Sequence, residues 1–294
     1  MLESQHFVSL AKHVIEIDSD SRRSSKNKLL WKAFAVLRAF RGPGEWLTSL
    51  ELSQRARLPK ASGHRLVQTL EELGAIVRGP NGRYRLGMMF VSLYHNVAVG
   101  ELLHAVASPI LQRFSSAMGF TLHMGILQGG MVTYVCKVAG KAGFPSHTRV
   151  NMQHEAYCSA LGKILLGGLS TDELESFLHD GDFVALTPNT ITDRSLLRAQ
   201  IEEARLLGYA TDREESSLGL CCVAVPVFAA RKQIVAAISA CGSPSQMSGQ
   251  KEDYAREVLL TIAQEIGRRF DPSADDEFRA QQRRPLYQTK VRSS

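Results

Sequence analysis

Basic and small polar side chains recur at short intervals between residues 60 and 85. Arginine can donate two hydrogen bonds to guanine, lysine and arginine pair with phosphate, and small side chains let a backbone approach base edges. One set fits the outer face of a helix and consists of Lys60, Ala61, Ser62, His64, Arg65 and Gln68. A second set falls on a short hairpin and consists of Arg78, Arg83 and Arg85. Together these side chains have the chemistry needed to contact the grooves and phosphates of double-stranded DNA.

The elements that must position these side chains are three helices and a hairpin. Apolar residues at helical spacing predict a first helix, and Thr48 is a suitable cap for a second one. A third helix is expected from about Lys60, with Pro59 in its first turn. The β-prone runs on either side of residues 79–82 predict the hairpin. This order predicts a winged helix-turn-helix over residues 27–87, although a three-helix domain with a solvated basic face would show the same periodicity.

Charge is distributed unevenly along the chain. Residues 21–86 hold 14 Lys and Arg against 4 Glu, a net charge of +10, whereas residues 100–272 hold 15 Lys and Arg against 18 Asp and Glu, a net charge of −3. A basic first part followed by a slightly acidic second part is expected when only one end of a protein meets phosphate. A charged surface that serves solubility alone is the alternative interpretation.

Length and composition limit the class of protein. A chain of 294 residues suits about two domains. It has no run of about 18 uncharged apolar residues, so no membrane span is predicted, and its opening residues lack the pattern of a secretory signal. The 5 cysteines lack the spacing of a zinc finger and predict reduced thiols. These features predict a cytoplasmic protein without cofactor or structural metal.

The second part of the chain alternates strand-like and helical segments, which predicts an α+β domain over residues 102–272. Before it, the apolar segment 88–101 is expected to be a linker helix and a dimerisation surface, with packing inside the chain as the alternative. The polar residues 1–26 and 273–294 cannot bury a core, so we expect a flexible arm and a flexible tail.

The first part resembles the DNA-binding domain of the IclR family of regulators in three blocks, Leu58–Leu66, Thr69-Leu70 with Gly74, and Gly82–Gly87. The second part is similar to the same family in four blocks, Ala156–Lys163, Gly208–Glu215, Gly219–Val227 and Ala236–Ser239. The likeness covers roughly residues 27–271. It implies a GAF/profilin-like α+β effector-binding domain at the C-terminal end. It also implies a transcription regulator controlled by a small carboxylic acid, working on a pseudo-palindromic operator as a homodimer or dimer of dimers.

The resemblance further implies an effector pocket between a curved sheet and the helix that starts near Ser159. Its expected contacts are Tyr157, Ser159, Ala160, Leu161, Gly162, Asp212, Cys222, Ser239 and Cys241. Free N–H groups at residues 160–162 would suit a carboxylate. The run 156–159 is similar to the branch that senses aromatic acids such as protocatechuate or hydroxybenzoate, which implies an aromatic acid of a catabolic pathway. The alternatives are that the cysteines are small buried hydrophobes, that Asp212 caps a loop and that Lys163 faces solvent.

Two other functions compete with this interpretation. The vicinal pair Cys221-Cys222 suggests thiol chemistry in an enzyme, but the chain lacks hydrolase, metalloprotease and phosphate-loop spacings, and neither thiol has a cationic sequence neighbour. A metal- or thiol-responsive regulator would use His147, His154, Cys158, Cys222 and Cys241. Scattered ligands without fixed spacing are weak evidence for a metal. We therefore expect neither an enzyme nor a bound metal.

Overall fold

The computed structural model of the chain describes residues 28–42, 44–140, 148–229 and 233–270. The described residues belong to two compact units, one ending at Ala98 and one beginning at Val99. The expected arm over residues 1–26 and tail over 273–294 lie outside the described residues, as does His147. No helix within the described ranges is long and apolar enough to cross a membrane.

The first unit is a winged helix-turn-helix. Its described elements are α1 (Lys28–Leu37), α2 (Ser49–Arg55), α3 (Lys60–Glu72), β1 (Ile76–Arg78), β2 (Tyr84–Leu86) and α4 (Met89–Tyr94). The core contains Val36, Leu52, Val67 and Ile76, which have no solvent exposure. Strands β1 and β2 pair antiparallel, and an isolated bridge joins Leu47 to Tyr84 beside them. The predicted order of helices and hairpin is confirmed.

Close contact between α2 and α3 depends on a glycine. Helix α2 begins with the expected cap, because the Thr48 side chain accepts a bond from the Glu51 N–H and Glu51 bonds back to Thr48. Gly63 lies inside α3, where a Cβ atom would stand 2.1 Å from Oγ of Ser53. A glycine that weakens an isolated helix therefore permits the packing of this one.

The connecting segment over residues 88–101 is divided rather than continuous. Helix α4 ends at Tyr94, and the next helix, α5 (Val99–Met118), belongs to the second unit. The N–H groups of His95 and Asn96 bond to carbonyls of Val91 and Leu93, which closes the last turn of α4. The expected single linker helix is corrected to a short helix followed by a break.

The second unit is an antiparallel sheet with helices on both faces, as its α+β patterning predicts. Its remaining elements are β3 (Thr121–Gln128), β4 (Met131–Val138), β5 (Gln153–Glu155), α6 (Ala160–Leu166), α7 (Thr171–Asp180), α8 (Arg194–Leu207), β6 (Ala210–Arg213), β7 (Cys221–Phe228), β8 (Ile234–Gly242) and α9 (Gln250–Phe270). The six strands lie in the order β5-β4-β3-β8-β7-β6. This arrangement confirms the predicted fold class.

Alternation along the strands separates two cores. On one face, Met124, Val223 and Ile238 pack against α5 and α9. On the other face, Tyr134 and Ala237 pack with α6, α7 and α8. Successive side chains of a strand point to opposite faces. Polar residues that alternate with the first set therefore lie on the α6 side of the sheet.

Candidate DNA-binding surface and effector site

The sequence-predicted face of α3 points outward. Lys60, Ala61, His64, Arg65 and Gln68 are exposed, and Ser62 is half-buried. The opposite side of α3 is buried through Leu66, Val67 and Leu70. One ring nitrogen of His64 lies 3.1 Å from Oγ of Ser49, at the start of α2. The helix thus presents a polar and cationic strip whose orientation is set by an apolar core.

The hairpin of β1 and β2 carries three exposed arginines that contact Trp46 or Tyr84. Arg83 donates to the carbonyl of Trp46 at 3.2 Å, and the guanidinium of Arg85 lies 5.0 Å from the Trp46 ring centre. Arg78 lies 6.0 Å from the ring centre of Tyr84. Cation–π contacts of this kind orient a guanidinium while leaving its N–H groups available. Sequence reasoning missed Trp46, since nothing in its own segment links it to a hairpin more than 30 residues later.

The start of α6 differs from the expected carboxylate site. Oγ of Ser159 accepts from the N–H of Gly162 at 3.1 Å and donates to the carbonyl of Glu155 at 3.0 Å. The Gly162 N–H is therefore occupied, and the expectation of three free N–H groups is corrected. Ala160, Leu161 and Gly162 are all buried, and α6 has only 7 residues. These residues pack against β7 and β8 as part of the core.

Tyr157 makes contacts of its own. Its hydroxyl donates to the carbonyl of Val184 at 2.8 Å, and its ring lies 5.1 Å from that of Phe183. Burial is the main cause that raises the pKa of Tyr157. It lines a groove of about 490 Å³ together with Phe177 and Phe183. The contacts described for Tyr157 are thus separate from those of the predicted strand residues.

The structure brings together Cys222, Ser239 and Cys241, and adds His123 to them; we call these four residues the thiol cluster. Sγ of Cys222 lies 2.9 Å from Sγ of Cys241. Nδ1 of His123 lies 3.5 Å, and Oγ of Ser239 3.8 Å, from that same Cys241 sulfur. Sequence reasoning missed His123, although its place among apolar residues of a strand is a usable signal.

Aromatic and imidazole rings continue from the thiol cluster across β4 and β5. The ring centres of His123 and Tyr134 are 5.2 Å apart, and Tyr134 stacks with His154 at 6.4 Å. Burial raises the pKa of Tyr134 and lowers that of His154. Nε2 of His123 lies 2.7 Å from the Thr148 hydroxyl. The sheet therefore offers flat ring surfaces beside polar groups.

Asp212 is opposite Cys222 in the pairing of β6 with β7, and it caps the loop that follows. Its carboxylate accepts from the N–H of Glu215 at 2.8 Å and from the Ser216 hydroxyl at 2.7 Å. Burial raises the pKa of Asp212 to about 7, against the opposing effect of these two hydrogen bonds. The alternative of a loop cap is thus realised, while a carboxylate retains further acceptor capacity.

Lys163 is buried and ion-paired instead of facing solvent. Its Nζ donates to Glu215 at 2.6 Å, to Gln200 at 2.5 Å and to the carbonyl of Thr211 at 3.2 Å. The second carboxylate oxygen of Glu215 has no hydrogen-bond partner among the described residues. These three acceptors match the three N–H groups of the buried ammonium group.

Comparison with known proteins is consistent with both units. The family model described as "Bacterial transcriptional regulator IclR C-terminal" matches residues 95–268. The family model described as "IclR helix-turn-helix domain" matches residues 30–80. The first of these matches alone spans more than half of the chain. The chain belongs to the IclR family.

Individual relatives agree with this assignment. The IclR-family chain is 32% identical over 241 residues to the HTH-type transcriptional regulator XynR of Escherichia coli strain K12, covering 80% of this chain and 96% of that protein. The crystal structure of the Thermotoga maritima IclR is 28% identical, covers 83% of this chain and 98% of that one, and has a TM-score of 0.54. An IclR homolog from Microbacterium hydrocarbonoxydans, complexed with 4-hydroxybenzoate, is 23% identical, covers 81% and 98%, and has a TM-score of 0.53, which shows the fold.

Family membership decides between a regulator and an enzyme. The IclR-family chain is a DNA-binding transcription regulator, and its named relatives are regulators rather than enzymes. The vicinal cysteines also point to opposite faces, because Cys221 belongs to the core against α5 and α9 and Cys222 to the core against α6. Among the described residues, no group of three or more His, Cys, Asp and Glu is placed to hold a metal ion.

Proposed function

We propose that this IclR-family regulator binds a pseudo-palindromic operator as a homodimer or a dimer of dimers, and that a small aromatic carboxylic acid controls this binding. A single helix-turn-helix buries too little DNA surface for useful specificity, so two are normally paired. Because chromosomal DNA is the partner, the proposed location is the cytoplasm. Family membership supports DNA binding and effector binding in general; the ligand class and the symmetry are our proposal.

One observation carries the DNA-binding surface: exposed cationic groups on α3 and on the hairpin belong to one compact unit. Arg65 lies on the exposed side of α3, whereas Arg83 and Arg85 are oriented by Trp46. The face of α3 fits a major groove, with Arg65 on a guanine or a phosphate, and the hairpin fits the minor groove or the backbone. The surrounding sequence is strongly basic, which favours association with a polyanion.

The aromatic effector is supported by the rings beside the thiol cluster. Tyr134 and His154 offer stacked flat surfaces, against which an aromatic ring can pack. The hydroxyl of Ser239 can donate a hydrogen bond to a carboxylate. The Microbacterium homolog is complexed with 4-hydroxybenzoate. At 23% identity that homolog shows only the fold, so an aromatic ligand for this chain is our proposal.

A gel-shift titration on the DNA upstream of the protein's own gene tests both parts. We expect Arg65→Ala/Arg83→Ala to bind at least about tenfold more weakly. The dependence of log affinity on log salt should also flatten by about 0.9 for each phosphate that the variant no longer neutralises. Arg198→Ala is the control, because it removes an exposed charge paired to Glu175 in the second unit. Unchanged affinity and salt dependence in the double variant would refute the assigned surface.

The same titration is repeated with candidate acids. 4-Hydroxybenzoate or protocatechuate should change operator affinity of the wild type, whereas pyruvate and glyoxylate should not. Ser239→Ala should lose the response and keep DNA binding without ligand, since an effector acts only through its differential affinity for two states. A response to aliphatic acids alone would refute the aromatic class.

A further inference from the structure

Two cysteine sulfurs lie side by side on neighbouring strands. Cys222 of β7 is directly opposite Cys241 of β8 in the antiparallel pairing, and the two Sγ atoms are 2.9 Å apart. Directly opposed residues have Cα atoms about 4.5–5.5 Å apart, within the range of about 4.4–6.8 Å that a disulfide tolerates. Formation of an S–S bond of about 2.05 Å therefore requires the sulfurs to move by less than about 1 Å.

Three polar groups converge on the sulfur of Cys241. The Cys222 thiol donates to it, and Nδ1 of His123 and the Ser239 hydroxyl lie within hydrogen-bonding distance of sulfur. In the tautomer with its hydrogen on Nδ1, the His123 ring donates to sulfur and its Nε2 accepts from the Thr148 hydroxyl at 2.7 Å. The hydrogen bond from Cys222 and the nearby imidazole lower the pKa of Cys241, whereas the pKa of Cys222 is raised. A thiolate beside a protonated thiol is the arrangement of an attacking and a resolving cysteine.

The other three cysteines do not share this environment. Burial raises the pKa of Cys136 and of Cys221, and it raises that of Cys158 to about 12. Cys221 also points to the opposite face of the sheet from its sequence neighbour. Because the thiolate is the reactive form, these thiols serve as internal controls.

We propose that Cys222 and Cys241 form a redox-active dithiol that hydrogen peroxide converts into an intrachain disulfide. The Cys241 thiolate attacks one peroxide oxygen, the O–O bond breaks, and the departing hydroxide takes up the proton that Cys241 had released. The sulfur of Cys222 then attacks the resulting sulfenic sulfur, its S–H proton leaves, and the S–O bond breaks to give a second water. Two thiols and one peroxide thus yield one disulfide and two waters.

Exposure favours peroxide over a larger oxidant. Cys241 is only 5% exposed, and Cys222 is half-buried, so a molecule close to water in size can reach a sulfur that a bulky disulfide cannot. The dithiol lies among residues proposed to contact the effector. Its oxidation would therefore change the second unit at the place where the effector is proposed to bind. This inference goes beyond the proposed function and does not depend on it.

Mass spectrometry of the reduced, full-length protein tests the proposal. After brief exposure to hydrogen peroxide, remaining thiols are alkylated with N-ethylmaleimide in denaturant. We expect two fewer adducts, a loss of two hydrogens in mass, and a peptide pair that links Cys222 to Cys241 and separates on reduction. Cys222→Ser should stop at a sulfenic acid that dimedone traps once the protein is denatured. Cys241→Ser should oxidise at least about tenfold more slowly, and Cys136→Ser should behave as wild type.

Three results would overturn the proposal. One is full alkylation of both thiols after peroxide, another is a disulfide between other cysteines, and the third is protection by a metal ion that a chelator releases. Circular dichroism of each variant confirms that the fold is retained. The mass readout contains no DNA or effector, so failure of the dithiol and failure of the proposed function are distinguishable.

Discussion

Asp212 is a carboxyl group whose surroundings favour its neutral form. Its pKa is about 3.9 in an unfolded chain and is raised to about 7 in the folded protein, chiefly by burial. Between these values the folded state keeps a proton that the unfolded state has released. The free energy of unfolding therefore falls as pH rises from about 4 to about 7 through this group.

We expect Asp212→Asn to remove that part of the pH dependence. Between pH 5 and pH 8 the wild type loses stability as the buried Asp212 releases its proton, whereas asparagine does not titrate. Relative to wild type, the free energy of unfolding of the variant should therefore increase over this range. Urea titrations across this range measure it, with the exposed Asp182→Asn as the control. If the free energies of unfolding of variant and wild type differed by the same amount at every pH, the prediction would be wrong.

At the level of elements, the sequence pattern predicted those features whose interacting residues lie close together along the chain. The predicted cap at Thr48 is present, because its partner Glu51 lies three residues away. Lys163 is the opposite case, since its partner Glu215 is 52 residues further along the chain. The ring contacts of His123, Tyr134 and His154 cross three strands. Periodicity alone does not contain the strand order that creates such contacts.

Gly63 shows how packing between elements can outweigh helix propensity. Gly63→Ala gains about 1 kcal/mol of helix propensity, but its Cβ would stand 2.1 Å from Oγ and 2.6 Å from Cβ of Ser53. Overpacking of this kind costs about 1–3 kcal/mol. We expect a net loss of about 1 kcal/mol in the free energy of unfolding, measured by thermal or urea denaturation.

Two variants make this measurement specific. Gly42→Ala should be nearly neutral, because nothing lies within 4 Å of the position that its Cβ atom would take and its backbone is not left-handed. Ser53→Gly combined with Gly63→Ala should recover part of the loss, since it removes the contacted atoms. A stabilised Gly63→Ala protein would show that α2 and α3 separate without cost.

At the level of the whole molecule, the proposed dimer needs an apolar surface on the first unit. Around α4, Met88, Val91 and Leu93 are 71%, 44% and 53% exposed. Adjacent exposed apolar side chains mark a surface that another chain can cover. An interface formed by α4 would also fix the separation of two copies of α3, which a palindromic operator requires to be one helical turn, about 34–36 Å.

We therefore expect Leu93→Glu to dissociate the dimer. A charge buried without a partner is costly at an interface, so light scattering should show the mass of a single chain where the wild type shows two or four. Operator affinity should fall by about tenfold or more, because each half-site then binds alone. Leu206→Glu is the matched control, since Leu206 is 85% exposed on α8 of the second unit. A wild type that is itself a monomer at working concentration would refute the proposed dimer. If instead Leu93→Glu kept its partner chain, pairing through α4 would be wrong, and the two half-sites would have to be joined by contacts elsewhere in the chain.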